Sequence, residues 1–238
     1  MIQLINVKKY YGTAAVGLSK VNTIIQSGEI VGILGENGSG KTTMLKVIMG
    51  LTGLTEGQVL IDGKSPLEMY NDLAFITEEG SWFPEMTPLE YAEFLSVFYK
   101  RFDKERYFKL LKFFDLDPIK KIRTFSYGQK AKLEITAGFS KRAKYILMDE
   151  PFQGKDLLTR QDFLKLMVSS IRDDETILIS THQLNEIDNF IDRAIILRYG
   201  LIKADLYMDE LREQGKTLND VMKEITGYDE KRYKTLFD

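Results

Sequence analysis

Gly35-Glu36-Asn37-Gly38-Ser39-Gly40-Lys41-Thr42-Thr43 is a run whose residue types suit one task, the holding of a chain of phosphates. Glycines let the backbone turn tightly, so that successive N–H groups converge on phosphate oxygens. The run lies between an apolar strand-like segment and a helical one, the setting in which the pattern has meaning. The helix that follows adds the positive end of its dipole. In this arrangement the Lys41 ammonium reaches the β- and γ-phosphates, and the Thr42 hydroxyl holds Mg²⁺. Such chemistry also needs acids, for the metal and for the attacking water. Tyr145-Ile146-Leu147-Met148-Asp149-Glu150 supplies them, an apolar run ending in two carboxylates. Asp149 at the strand end is placed to coordinate Mg²⁺ through water, and Glu150 to polarise the water that attacks the γ-phosphate. The pair of motifs implies ATP and Mg²⁺ as cofactors.

Elements able to position these residues are visible in the pattern around them. Glu29–Leu34, Tyr145–Met148 and Thr176–Ser180 are continuous apolar runs rich in β-branched residues, and they read as buried strands. Helical patterns follow each one, over Thr42–Met49, Thr159–Ile171 and Asn185–Ile191. Strands alternating with helices predict a largely parallel sheet covered on both faces. Leu4–Val7 and Val21–Ile25 bracket a loop, and Gln58–Gly63 ends in an Asp-Gly turn signal. Ala194–Arg198 and Leu201–Leu206 flank Tyr199-Gly200 as a further hairpin, so an antiparallel layer is expected beside the parallel core. From Pro88 to Ser140 the pattern is helical, dense in Phe, Tyr, Leu and Lys, with no convincing strand; Pro84, Pro88 and Pro118 punctuate it. The expectation is an α/β fold: a P-loop NTPase core with a mainly parallel sheet, an antiparallel β subdomain and a helical insertion. The core is assigned to 1–84 and 141–206, the insertion to 85–140 and a helical tail to 207–238.

Bulk composition narrows the partners. The chain has 238 residues, 44% hydrophobic and 29% charged, an ordinary globular balance. Its formal net charge of -2 offers no basic field for nucleic acid, so no nucleic-acid partner is expected. Cysteine is absent, which removes disulfides and thiolate metal sites. No apolar stretch approaches the roughly 20 residues of a membrane span, and the first residues do not read as a secretory signal. If the protein serves a membrane, another chain must supply the spans.

With these pieces in view the chain resembles, over nearly its full length, the nucleotide-binding subunit of an ATP-binding cassette (ABC) transporter. Phe125-Ser126-Tyr127-Gly128-Gln129 is similar to the family signature Leu-Ser-Gly-Gly-Gln, departing from it at Phe125 and Tyr127. The resemblance implies that Ser126, Gly128 and Gln129 contact the γ-phosphate bound by the opposite subunit; without that context the run is a helix cap. His182, the only histidine, follows the strand Thr176–Ser180 and resembles the switch histidine that contacts the γ-phosphate and positions Glu150. Glu78 stands where the family commonly has a metal-ligating glutamine, and Glu79 beside it is an alternative. Gly154-Lys155-Asp156 resembles the loop that couples two ATP sites across a dimer, with Asp156 the matching residue. Tyr11 aligns with the aromatic that stacks on adenine, Tyr10 being the fallback, and the phosphate contacts extend over Gly35, Asn37, Gly38, Ser39, Gly40, Lys41, Thr42 and Thr43. Trp82-Phe83-Pro84 lies where the family receives a coupling helix, although core packing would also explain it. Leu218–Gly227 resembles a tail segment of exporter-type (ABC-2) subunits.

The resemblance implies an ATPase at the cytoplasmic face of the cell membrane, partnered by transmembrane permease subunits and by a second copy of itself or a paralogous ATPase subunit. Closure of the pair by ATP and its reopening on hydrolysis would energise transport, with export favoured over import. Two alternatives compete: a soluble ABC ATPase of DNA repair or of ribosomes, and a small-molecule P-loop kinase. The first commonly has coiled-coil insertions or two cassettes in one chain, and the second has no use for Ser126–Gln129.

Overall fold

The computed structural model describes residues 1–12, 15–77, 80–151, 163–165, 167 and 174–228. The chain opens with β1 (Ile2–Tyr11) and β2 (Ala15–Ile25), then β3 (Ile30–Leu34), α1 (Lys41–Ile48) and β4 (Glu56–Ile61). A 3₁₀ turn (Pro66–Asp72) leads into β5 (Leu73–Ile76), followed by α2 (Pro88–Phe98), α3 (Lys104–Phe113) and α4 (Tyr127–Ser140). The remainder comprises β6 (Tyr145–Asp149), β7 (Thr176–Thr181), α5 (Leu184–Ile187), β8 (Arg193–Arg198), β9 (Leu201–Tyr207), α6 (Met208–Glu213) and α7 (Leu218–Thr226).

Six strands form one sheet in the order β5-β6-β7-β3-β8-β9. All neighbours are parallel except β9, which runs antiparallel to β8. Both faces are buried, which is why the central strands read as unbroken apolar runs. Successive residues still serve different cores: Tyr145 and Leu147 pack with α1 and the small sheet, while Ile146 and Met148 pack with α2, α3 and α4. The small antiparallel sheet, β2-β1-β4, covers α1 on its other side. Among the described residues no helix is long and apolar enough to cross a membrane.

Four expectations need correction. β1 and β2 are longer than the two runs read from the sequence: their ladder extends to Tyr11 opposite Ala15, continued past several register shifts. The segment taken as a bracketed loop is therefore mostly strand. The Asp62-Gly63 turn forms at positive φ, but a 3₁₀ turn follows it and β4 pairs back onto β1. The β8–β9 hairpin forms as expected at Tyr199-Gly200, but β8 also pairs in parallel with β3, so the hairpin extends the main sheet instead of a separate antiparallel layer; β8 is nearly all buried and β9 alternates. The helix expected over Asn185–Ile191 is only Leu184–Ile187, because Asp192 exchanges two backbone-directed hydrogen bonds with Ile30 and draws the chain into the sheet. β5 was not anticipated at all. The helix expected over Thr159–Ile171 lies outside the described residues except at 163–165 and 167, which are helical. The helical run between Pro88 and Ser140 appears as α2, α3 and α4, with no strand among its residues.

Candidate functional site

β3, β6 and β7 are adjacent in the sheet and end on the same side, so their C-terminal ends bring together loops distant in sequence. Gly35–Gly40 joins β3 to α1. Gly35 has φ +148° and a Cβ there would lie 2.3 Å from the Leu197 carbonyl oxygen. Gly40 has φ +112°, and its Cβ would lie 2.4 Å from the Gly17 oxygen. Neither position admits a side chain. The loop is clamped from outside by the β8–β9 turn: the Gly200 N–H donates to the Ser39 oxygen at 2.9 Å, and the Ser19 N–H to the Gly200 oxygen at 2.8 Å.

Lys41 is 6% exposed and its Nζ donates to the carbonyls of Gly35 at 2.9 Å and Glu36 at 3.3 Å. The ammonium also lies 3.3 Å from Glu150 Oε1. Thr42 Oγ1 donates to Asp149 Oδ1 at 3.0 Å. Ser180, at the end of β7, donates to the same oxygen at 2.5 Å and accepts the Glu150 N–H at 3.0 Å. Glu150 has φ +45°, unusual for a residue with a side chain, and the Ser180 hydroxyl and carbonyl hold it there. Its carboxylate faces His182, whose Nδ1 is 3.1 Å from both oxygens. Glu150 therefore lies between an ammonium and an imidazole, one residue from the hydroxyl–carboxylate pair of Thr42 and Asp149.

A cleft of about 370 Å³ opens over this loop. Asn37, Gly38, Gly40, Lys41, Thr42 and Thr43 line one end, with Glu150 beside them. Tyr11, Val16 and Gly17 line the other. The Tyr11 hydroxyl is 3.4 Å from Thr43 Oγ1, and Lys9 Nζ stands 4.9 Å from the Tyr11 ring centroid. Tyr11, rather than Tyr10, is the aromatic at the cleft. The lining suits a ligand with a flat apolar end and an anionic end.

Ser126–Gln129 is elsewhere. Ser126 caps α4, its N–H donating to Gln129 Oε1 at 2.9 Å and its Oγ accepting the Gln129 N–H at 3.2 Å. Nothing lies within 4 Å of where a Gly128 Cβ would be, and Tyr127 is half exposed. None of these residues lines the cleft. Glu78, Glu79 and Asp156 lie outside the described residues. Trp82 is partly buried against the main core, whereas Phe83 is exposed and meets Phe94 edge-on at 4.9 Å. Ser180 is the site residue that sequence reasoning missed; the one available signal was a hydroxyl at the end of an otherwise apolar strand.

The residues fit a nucleotide phosphate chain. Ser39 Oγ is buried without a hydrogen-bond partner among the described residues, and two crowded glycines shape the loop around it. They also fit Mg²⁺, which takes few protein ligands and keeps phosphate oxygens and waters. Thr42 and Asp149 supply the hydroxyl and carboxylate. No group of three or more acids or histidines is clustered among the described residues.

Fold and site together define a P-loop NTPase. The chain belongs to the ABC transporter family, whose family model matches residues 18–153. It is 33% identical to the ABC transporter ATP-binding protein YtrB of Bacillus subtilis over 201 residues, 83% of this chain and 69% of that protein. It is 29% identical over 230 residues to the SkfA peptide export ATP-binding protein SkfE of the same organism, 94% of this chain and 96% of that protein. Among solved structures, an ATP-binding subunit of an ABC transporter superposes with a TM-score of 0.86 at 29% identity, covering 95% of this chain and 99% of that one. A dimeric ATP-binding cassette in a post-hydrolysis state bound to ADP and Pi superposes with a TM-score of 0.79, also at 29% identity, covering 87% and 99%.

Proposed function

We propose that this chain is the ATP-binding and ATP-hydrolysing subunit of an ABC transporter, acting as one of a pair of cassettes at the cytoplasmic face of membrane-spanning permease subunits. The observation that carries the reading is the setting of Glu150. Its carboxylate lies 3.1 Å from His182 Nδ1 and 3.3 Å from Lys41 Nζ, beside the Asp149–Thr42 pair. Lys41 and the loop N–H groups bind the β- and γ-phosphates, and Tyr11 stacks on adenine. Thr42 and Asp149 hold Mg²⁺, with Glu78 or Glu79 adding a carboxylate; the bound ion offsets phosphate charge. Glu150 then orients and polarises the attacking water, while His182 holds Glu150 in place. Ser126, Gly128 and Gln129 close over phosphates held by the partner cassette, and Asp156 links the two sites. Similarity to a peptide export ATP-binding protein along 94% of this chain supports export.

Two variants test the reading. Glu150→Gln keeps the shape of the side chain and removes the base, so ATP binding persists, a closed dimer accumulates and turnover falls roughly 10²–10⁴-fold. Lys41→Ala removes the cation that meets the phosphates and loses nucleotide affinity. Unchanged turnover in both variants would sink the assignment, and a turnover that depends on an added phosphate acceptor would point to a kinase.

A further inference from the structure

Glu134 is 2% exposed, halfway along α4, the helix that begins at Ser126–Gln129. A carboxyl so deep needs partners. Burial pushes it above the ordinary carboxylate range, while the Ser81 N–H, the Lys141 charge and the Ser81 hydroxyl pull it back. Its hydrogen-bond partners are all at Ser81. The Ser81 N–H donates to Glu134 Oε2 at 2.9 Å, and the Ser81 hydroxyl lies 3.0 and 3.1 Å from the two carboxyl oxygens. The buried Tyr91 of α2 meets the same hydroxyl at 3.0 Å.

Further ties run the same way. Lys130, in the first turn of α4, places Nζ 4.9 Å from the centroid of the Trp82 ring. The Arg123 N–H donates to the Pro84 oxygen and the Ile122 N–H to the Met86 oxygen, both at 2.9 Å. Residues 81–86 are thus bonded to 122–134. Upstream, β5 is bonded to β6. Between the two attachments lie Thr77 and Gly80, and Gly80 is at φ +74° with a Cβ position only 2.2 Å from Trp82 Nε1.

We infer that Glu134 is a positioning residue that fastens the turn at Ser81–Trp82 to the signature-bearing helix, so that this turn and Ser126–Gln129 move as one unit. The boundary of the helical segment then falls at Gly80–Ser81, upstream of residue 85. The inference rests on the ATPase reading for what the helix does, but the tie itself does not depend on it.

Trp82 is the only tryptophan in the chain and reports on the tie directly. Glu134→Ala cuts it. Glu134→Gln preserves it, because its amide oxygen accepts the Ser81 N–H and its NH₂ donates to the Ser81 hydroxyl. In the nucleotide-free protein, Trp82 emission shifts to the red in Glu134→Ala and stays at the wild-type position in Glu134→Gln. In turnover, Glu134→Ala lowers kcat about fivefold or more and leaves KM for ATP within about twofold, and Glu134→Gln restores kcat. Ser81→Ala, which keeps the N–H bond, falls between; it carries the test if Glu134→Ala does not fold. Wild-type emission and kcat in folded Glu134→Ala, or in Ser81→Ala in its place, would overturn the inference. So would a Glu134→Gln protein as impaired as Glu134→Ala. The nucleotide-free spectra decide the tie even if the wild type proves not to hydrolyse ATP, a result that would count against the ATPase reading alone.

Discussion

Ser180 joins the two acids of the site. Its hydroxyl donates to Asp149 and accepts from the Glu150 N–H, so one side chain sets the Asp149 carboxylate and the backbone of the proposed base. Ser180→Ala removes both contacts, while the Ser180 carbonyl still accepts the Glu150 N–H at 3.1 Å. Hydrogen bonds to charged groups contribute about 1.5–3 kcal/mol each. The expected result is a kcat lowered roughly tenfold with the fold retained, read from steady-state turnover and thermal unfolding. His182→Ala belongs with it: both Glu150 oxygens lose the imidazole at 3.1 Å, and turnover should fall while nucleotide binding, measured by titration, changes little. That Lys41, Thr42, Asp149 and Glu150 come together was legible from motif spacing and strand ends, and that His182 joins them from the family resemblance. Ser180 was not, since a serine acquires this role only from the strand laid beside it. Glu134 was hidden for a related reason: a charged residue on a helix reads as solvent-facing until the packing around it is known.

At the scale of elements, α7 is held against the site by its apolar face and by its last carbonyls. Leu218 and Val221 are buried, and Met222 lines a smaller cleft of about 300 Å³ with Gly35, Glu36, Asn37 and His182. Arg198, at the end of β8, donates to the Ile225 and Thr226 carbonyl oxygens at the helix C-terminus, where a cation is favoured. Arg198→Ala leaves these carbonyls to water. Amide exchange across 218–226 should quicken by roughly tenfold while that of the central strands is unchanged. Equal exchange in the two proteins would show that the apolar face alone holds the helix. The sequence placed this segment within a helical tail, and the helix is bounded by local devices: Thr217 accepts the Asp220 N–H and Gly227 ends the helix at φ +67°. The sequence reading paired β8 with β9 but did not give its other neighbour, β3, and it missed β5. A strand's own residues do not state which neighbour it will have, and four residues before a loop give too short a period to read.

At the scale of the whole molecule, the separation of Ser126–Gln129 from the phosphate-loop cleft within one chain has a consequence that mixing can measure. If each site takes its phosphate loop from one cassette and its signature loop from the other, two defective chains repair one another. Lys41→Ala spoils the loop and leaves Ser126–Gln129 intact. Gly128→Asp spoils the signature by setting a carboxylate where phosphate must come, and open space around Gly128 lets the chain fold. Each variant alone forms dimers with no complete site. In an equal mixture about half of the dimers are mixed, each with one complete site of two, so turnover should recover to about a quarter of the wild type. Recovery needs ATP-driven pairing, so it should also rise with protein concentration until the dimer is saturated. A mixture no more active than its two components would mean that a site is completed within a single chain. Alanine in place of aspartate at Gly128 separates repulsion from lost backbone approach, because it adds bulk without charge. If repulsion dominates, Gly128→Ala homodimers keep most of their turnover, and the helix end at Ser126 is then the part of the signature that meets phosphate.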